Sequence, residues 1–99
     1  MAFLRLAYFP DGTAEHWAAV TSAVGGVAPP EARWAFAAGP CEGGWQVMQL
    51  WRSRADLERF NELVFWPAMA AVGGRGFPHP PVVRDIETAA AWVGDRPLP

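Results

Sequence analysis

The sequence predicts a small α+β domain in which an antiparallel sheet carries its helices on one face. The chain has 99 residues, the size of one domain. Glycine and proline divide it into segments whose patterns follow the order strand, helix, strand, strand, helix, strand. It is also 52% hydrophobic, with six Trp and six Phe. This apolar content requires an oily pocket or a subunit interface, since a domain of this size has little interior.

The first strand and the first helix are separated by a turn over residues 10–12. Residues 3–9 are almost continuously apolar, which is typical of a strand buried on both faces. Thr13 is a suitable helix N-cap, because its hydroxyl can accept a hydrogen bond from a free amide of the first turn. Gly25-Gly26 predicts the helix end. One helix face is marked by the i, i+3, i+4, i+7 spacing of Trp17, Val20, Thr21 and Val24.

Residues 33–38 and 45–52 are the next strands, and a loop over residues 39–44 joins them as a hairpin. Pairing Ala38 with Trp45 places the large side chains on one sheet face: Trp34, Phe36, Ala38, Trp45, Val47, Gln49 and Trp51. The other face then carries smaller or more flexible side chains: Arg33, Ala35, Ala37, Gln46, Met48, Leu50 and Arg52. Alternation alone leaves open which face meets the helices.

The second helix begins at a capping-box pattern formed by Ser53 and Asp56. Its core face is marked by Leu57, Phe60, Val64, Ala68 and Ala71. Pro67 lies inside this helix and predicts a kink, because proline removes one backbone hydrogen bond. Residues 81–88 are the fourth strand. Residues 89–99 are expected to form a short helical turn and a frayed tail.

Composition and charge exclude several classes of function. The net charge is −2 and no basic cluster occurs, which argues against a nucleic-acid partner. The single Cys excludes an intrachain disulfide and a thiolate zinc site, and the two His have no third ligand near them. No apolar run approaches the ~20 residues of a membrane span, and no signal-peptide pattern is present. We therefore expect a cytoplasmic protein without membrane partner, metal or cofactor.

The element order βαββαβ is the ferredoxin-like arrangement, with a four-stranded antiparallel sheet and two helices on one face. The other sheet face is expected to carry large aromatic side chains, and a chain of 99 residues has no further layer to cover it. Two sheets packed face to face would cover both, which is the architecture called a dimeric α+β barrel. The sequence therefore predicts a homodimer through the sheet face.

Several stretches resemble small actinobacterial dimeric α+β barrel proteins, which are similar to antibiotic-biosynthesis monooxygenases. They are Gly44-Trp45-Gln46-Val47 continuing to Leu50-Trp51-Arg52-Ser53, the turn Ala38-Gly39-Pro40, the helix opening Thr13-Ala14-Glu15-His16-Trp17, and Pro67 after Arg59-Phe60. This superfamily includes cofactor-free monooxygenases, aromatic polyketide cyclases, haem-degrading enzymes and lactone isomerases. The resemblance covers about residues 3–88 and implies a cofactor-free enzyme of aromatic natural-product metabolism.

The chain departs from these relatives at informative positions. Phe36 stands where they often have a His, and Gln49 stands where they often have an Asp. Haem-degrading relatives use an Asn in the first strand and a His late in the second helix. Neither occurs here in residues 3–9 or 57–72. The departures argue against haem degradation and against chemistry that needs the family His and Asp.

The predicted function is binding of a small hydrophobic or aromatic molecule in a pocket between sheet and helices, as a cofactor-free monooxygenase or cyclase. His79 and then His16 are the candidate catalytic residues, because an imidazole can move a proton near neutral pH. Prolines hold His79 in a stiff loop, and the helix N-terminus disfavours a charged His16. The alternatives are a plain loop histidine and a solvated helix residue.

The remaining candidates would bind the substrate. Tyr8 and Gln49 would hold its oxygens, and the walls would be formed by Trp17, Phe36, Trp51 and Phe60. Arg5 lies in a buried strand, so it should pair with Asp85 or Glu87, unless it anchors an anionic substrate. Trp66 lies off the core face of its helix and suggests a partner surface. The alternatives are a non-catalytic dimeric ligand-binding or accessory protein, and aromatic residues that serve dimer packing alone.

Overall fold

The computed structural model describes residues 2–25 and 30–99. Its elements are β1 (Phe3–Pro10), α1 (Ala14–Val24), β2 (Arg33–Cys41), β3 (Gly44–Trp51), α2 (Arg54–Phe60), α3 (Trp66–Val72), β4 (Val82–Glu87), β5 (Trp92–Val93) and β6 (Arg96–Pro97). A π-helical turn, Asn61–Phe65, joins α2 to α3, and a 3-10 turn, Gly73–Arg75, follows α3. Within the described residues, no helix is long and apolar enough to cross a bilayer.

The main sheet has four antiparallel strands in the order β2-β3-β1-β4. The helices α1 and α3 contact each other, and residues of α1 and of the second helical segment enclose one space together with the sheet. The predicted α+β class is therefore confirmed, and the topology is compatible with a ferredoxin-like fold.

The face of the sheet that meets the helices carries the aromatic side chains. Phe3, Phe9, Trp45 and Trp51 are all buried there. Strand alternation turns Leu4 and Leu6 to the opposite face, where their strand partners include Leu50, Met48 and Ile86. The expectation that the uncovered face carries large aromatic side chains is wrong. These four aromatic residues form the helix-packed core instead, because a single covered face is the place where the largest apolar area can be buried. Tyr8 is the aromatic residue of β1 that alternation directs to the other face.

The β2–β3 hairpin differs from the predicted register by two residues. Ala38 pairs with Val47 rather than with Trp45, and the loop shortens to Glu42 and Gly43. Gly43 has a φ of 78°, which suits glycine in a tight turn. A shift of two residues keeps each side chain on its predicted face, so most of the predicted grouping survives.

A β-bulge between Arg33 and Ala35 changes the grouping at the start of β2. The bulge sets Arg33 opposite Trp51, so Arg33 and not Trp34 joins the helix-facing side chains. The predicted grouping of Arg33 on the face opposite Phe36 and Trp51 is therefore wrong. A two-residue period cannot reveal an extra residue inserted into a strand.

Three helix ends lie at the residues that the sequence predicts as caps. The Thr13 hydroxyl accepts from the backbone N–H of His16, and the Ser53 hydroxyl accepts from that of Asp56. Gly25 caps the end of α1 with a φ of 71°. Gly26, the second residue of that predicted cap, lies outside the described residues.

The single second helix that the sequence predicts is formed by α2, the π-helical turn and α3. We call these three elements the second helical segment, and the helix type changes within it next to Pro67. Pro67 lies at the start of α3, directly after the π-helical turn, in which the Trp66 N–H donates to the Asn61 carbonyl. Proline lacks an N–H and crowds the carbonyl one turn earlier, and a wider turn relieves that crowding.

The C-terminal residues form a small hairpin of β5 and β6 in place of the predicted helical turn. Gly94 has a φ of 59° in its two-residue loop, and the Leu98 N–H donates to the Ala91 carbonyl. The dipeptide Gly94-Asp95 between β-forming residues is the signal that indicates this hairpin in the sequence.

Candidate ligand-binding cavity

A cavity of about 300 Å³ lies between the helix-facing side of the sheet and the helices. Its floor comes from β1, β2, β3 and β4, and its roof comes from α1 and the π-helical turn. Aromatic side chains form most of its walls: Phe9, Trp17, Phe36, Phe60, Phe65 and Trp66. It is a largely apolar pocket that is open to solvent, since Phe36 and Trp66 of its lining are 40% and 49% exposed. Its volume is of the size at which small-molecule sites begin.

The pairing of β1 with β3 explains why this space stays open. Large side chains pair at both ends of the two strands, as Phe9 with Trp45 and Phe3 with Trp51. Ala7 pairs with Val47 between them, and a side chain as small as alanine cannot fill the layer. The polar pair of Arg5 and Gln49 lies beside it, and both of these residues line the cavity. The cavity therefore lies where this register sets a small pair and a polar pair between two bulky aromatic pairs.

One end of the cavity is bounded by a cluster that contains Phe9 and Trp45, with Trp17 and Phe77 packed against it. Phe9 and Phe77 stack with ring centroids 4.0 Å apart. The other end is bounded by Phe3, Trp51, Leu57 and Phe60. These two clusters hold the sheet and the helices apart at a fixed distance.

Arg5 lines the cavity, but its charge is matched. Its guanidinium donates two hydrogen bonds to the Asp85 carboxylate, at 2.8 Å and 2.9 Å. Arg54 approaches the same carboxylate at 3.4 Å. The hydrogen bond from Arg5 holds the pKa of Asp85 below its ordinary value, and that of Arg5 is raised in turn. The predicted pairing of Arg5 with a β4 carboxylate is confirmed.

Arg33 lines the same cavity without a matching charge among the described residues. Its guanidinium lies 4.5 Å from the centroid of the Phe36 ring, with the Phe60 and Trp51 rings at 5.7 Å and 6.0 Å. Burial lowers the pKa of Arg33 from its ordinary value. An arginine still stays charged at neutral pH, so it brings a positive charge into an aromatic site.

Two amide side chains complete the polar part of the lining. The Oε1 atom of Gln49 accepts the indole N–H of Trp51 at 3.0 Å, which orients its NH2 group as the remaining donor. Asn61 is 8% exposed and belongs to the π-helical turn, a helix type often found at functional sites. Neither Asn61 nor Arg33 could be placed here from periodicity, because a bulge and a π-turn position them.

Of the predicted wall residues, Trp17, Phe36 and Phe60 line the cavity. Gln49 lines it as well, as predicted for a residue that would hold a substrate oxygen. Trp51 is fully buried behind the wall and acts on the cavity through its hydrogen bond to Gln49. Trp66 is 49% exposed at the cavity edge, where its ring meets Phe65.

The structure does not bring the predicted catalytic residues into the cavity lining. His79 lies at the surface, where its Nε2 is 3.1 Å from Asp11 Oδ2. His16 completes the capping box of α1, since its Nδ1 accepts the backbone N–H of Thr13. Its predicted position in the first helical turn is thus correct, but its ring is committed to the helix end.

Tyr8 also lies outside the lining. Strand alternation directs it to the face away from the helices, and its hydroxyl donates to the Glu42 carbonyl at 3.3 Å. This contact supports the β2–β3 turn. His79, His16 and Tyr8 therefore lie at three separate places in the fold. Of the predicted acid–base and oxygen-holding residues, only Gln49 lines the cavity. The other polar residues of the lining are Arg5, Thr21, Arg33 and Asn61.

Comparisons of the chain with protein-family models, with curated proteins and with solved structures gave no match. Among the described residues, no three His, Cys, Asp or Glu side chains come together as ligands of a metal ion. The cavity and its lining are thus the features on which a function can be based.

Proposed function

We propose that this protein binds a small, flat, apolar molecule in the cavity between its sheet and its helices. The observation that carries the proposal is the cavity of about 300 Å³ with Trp17, Phe36 and Phe65 in its walls. Each Å² of apolar ligand surface removed from water contributes about 25 cal/mol. Aromatic walls add a preference for ring-shaped ligands, because offset and edge-to-face ring contacts are favourable.

The apolar walls of an open pocket face water, where they lack apolar packing partners. Here the space is kept open by the bulky clusters at its two ends and by the Arg5–Asp85 pair at its side. A bound ligand would restore the missing contacts without any change in the sheet register. This supports ligand binding over the alternative that the aromatic residues serve packing alone.

The cofactor-free monooxygenase or cyclase of natural-product metabolism is the catalytic form of the same proposal. Both reactions need a proton to leave a phenol or an acidic C–H group. The described lining holds no imidazole and no carboxylate, so His79 and His16 could act only if they moved. The geometry therefore supports the non-catalytic ligand-binding or accessory role better, and an enzyme of this kind would need a substrate that arrives ionised.

The second part of the proposal is that two copies of the chain form a dimeric α+β barrel. The sheet face opposite the helices carries Val82 and Ile86, which are 57% and 47% exposed. Leu4 and Leu6 lie between them and β3. An uncovered apolar sheet face of this kind supports a homodimer through that face of a ferredoxin-like domain. Native mass spectrometry tests it, and a mass of one chain at micromolar concentration would contradict it.

The neutral fluorescent probe N-phenyl-1-naphthylamine tests the cavity. We expect saturable binding by the wild-type protein and a loss of affinity of about tenfold or more in Val83→Trp, because the indole fills the cavity floor. The matched control is Val93→Trp. Val83 and Val93 are similarly exposed, at 42% and 40%, but Val93 lies in β5 and outside the lining.

The control variant should bind the probe as the wild type does. Equal affinities of all three proteins would show that the probe binds elsewhere on the surface, and the cavity proposal would then be wrong. Mass spectrometry of the purified protein under native conditions adds the identity of any ligand that is retained.

A further inference from the structure

We propose that the ligand of this cavity is an aromatic carboxylate whose acid group binds Arg33 and is oriented by the amides of Gln49 and Asn61. The inference rests on the proposed function and names the class of molecule that the site takes. It is carried by the distribution of charge and of hydrogen-bond donors in the lining.

The two arginines of the lining differ in what faces them. Arg5 is neutralised by Asp85 through two hydrogen bonds. Arg33 forms no ion pair or side-chain hydrogen bond with the residues that the structure describes. The residues outside that description, Met1 and 26–29, include no Asp or Glu. The cavity therefore holds one guanidinium without a carboxylate side chain to match it.

A half-buried charge is costly unless an opposite charge pairs with it. Aromatic rings offset part of this cost for Arg33, because their faces attract a cation, and Phe36 lies 4.5 Å away. A guanidinium that stacks on a ring leaves its N–H edge free, and this edge matches the two oxygens of a carboxylate. The contact with Phe36 thus orients Arg33 for an oxyanion.

The amide groups add donors next to this charge. Trp51 occupies Oε1 of Gln49 and leaves the NH2 group of that amide as a donor to the cavity. Asn61 is 8% exposed and forms no side-chain hydrogen bond with the described residues. The Asn61 amide is therefore free to donate to a ligand. A carboxylate oxygen accepts from both amides and from Arg33.

The rest of the lining determines the body of the ligand. Trp17, Phe60 and Phe65 offer ring faces and edges, and the volume of about 300 Å³ accommodates one or two fused rings with a short substituent. A cationic ligand would meet the unmatched charge of Arg33. A phosphate dianion would bring a second negative charge, and the other arginine of the lining, Arg5, is already paired with Asp85. An aromatic monoanion fits both the charge and the walls.

The test compares two compounds with the same rings, 1-naphthoate and the neutral 1-naphthalenemethanol, as competitors of N-phenyl-1-naphthylamine. We expect the wild type to bind the carboxylate about tenfold or more tightly than the alcohol. Arg33→Gln should reduce this preference to about threefold or less. Arg33→Lys should retain part of it. Arg75→Gln, a surface substitution outside the lining, should retain all of it.

A second variant protects the test against a misfolded Arg33→Gln protein. Gln49→Glu keeps an oxygen for the Trp51 indole N–H but places a carboxylate beside the ligand site, so it should also abolish the preference for 1-naphthoate. Near-ultraviolet circular dichroism checks that each variant is folded.

The outcomes separate the two proposals. If the wild type binds the neutral probe and both competitors displace it equally, the carboxylate inference is overturned and the cavity proposal stands. If the preference is present and survives in both Arg33→Gln and Gln49→Glu, the inference is overturned as well. If neither the probe nor either competitor binds, the proposed function itself fails.

Discussion

The two ends of β3 place a tryptophan under the helices in different ways. Trp51 is fully buried, its indole N–H is bonded to Gln49, and fully buried Leu57 packs against it. Trp45 is 6% exposed, and its indole N–H has no partner among the described residues. The neighbours of Trp45 on the helix side, such as Trp17 and Phe77, are only partly buried. We call the Trp51 end the closed end, because Trp51 and Leu57 are fully buried there and the indole N–H is satisfied. Partly buried side chains flank both ends, so the hydrogen bond of the indole is what distinguishes them.

The largest effect should come from breaking the closed end. Leu57→Ala should lower the free energy of unfolding by about 3 kcal/mol, because it removes a fully buried side chain from a packed cluster. Leu63→Ala is the matched control, since Leu63 is 63% exposed in the same helical segment and should change stability by less than about 0.5 kcal/mol. Urea unfolding followed by far-ultraviolet circular dichroism measures both. Similar losses in the two variants would contradict a closed core at this end.

A pair of conservative substitutions compares the two indoles directly. Trp51→Phe removes the indole N–H that donates to Gln49. Trp45→Phe removes an indole N–H that has no acceptor among the described residues. Trp51→Phe should therefore cost about 1 kcal/mol more in unfolding free energy than Trp45→Phe. Equal costs, or a larger cost for Trp45→Phe, would show that the hydrogen bond of Trp51 does not distinguish the two ends.

The smallest effect on stability should come from the ion pair of Arg5 and Asp85, which lies between the two ends. The folded-state pKa of Asp85 lies below its ordinary value of 3.8, mainly through the hydrogen bond from Arg5. The pairing stabilises the fold above that ordinary value, and this stabilisation is lost as the pH falls through the folded-state pKa. Asp85→Asn should therefore cost about 1 kcal/mol at about pH 6, and the difference from wild type should shrink as the pH falls below about 3.

Urea unfolding curves of wild type and Asp85→Asn at about pH 6 and below about pH 3 measure this difference in stability. The control is Asp95→Asn, at an exposed position in the C-terminal hairpin loop. The control should follow the wild type at both values. A difference between Asp85→Asn and wild type that stays constant with pH would contradict the assignment of this titration to Asp85.

Local patterns accounted for most elements of the fold. The cap residues Thr13 and Ser53 lie where the helices begin, and the alternation of Trp45 and Val47 places both on one sheet face. The capping role of His16 escaped prediction, because histidine is not the usual residue at the third helical position of a capping box. The terminal hairpin at Gly94 was missed although its turn signal is present.

The sequence predicted an apolar pocket between the sheet and the helices, but it did not predict that Arg33 and Asn61 line it. Of the six residues predicted to bind a ligand, Tyr8 and Trp51 do not line the cavity. The other four do: Trp17, Phe36, Gln49 and Phe60. His79 was selected because its ring can carry a proton, yet the loop that holds it lies at the surface. A titratable side chain in a stiff loop indicates a fixed position but not which side of the fold that position faces.

The sequence by itself determined the order of the elements, the two-residue and 3.6-residue periods and the surplus of aromatic side chains, because these depend on neighbours along the chain. Only the tertiary structure decided which sheet face meets the helices, how β1 pairs with β3, and that a bulge turns Arg33 into the cavity. These depend on side chains far apart in the sequence. The cavity lies where Ala7 pairs with Val47 and Arg5 with Gln49, between the aromatic pairs at the two ends of the strands. That pairing is settled when the whole sheet forms.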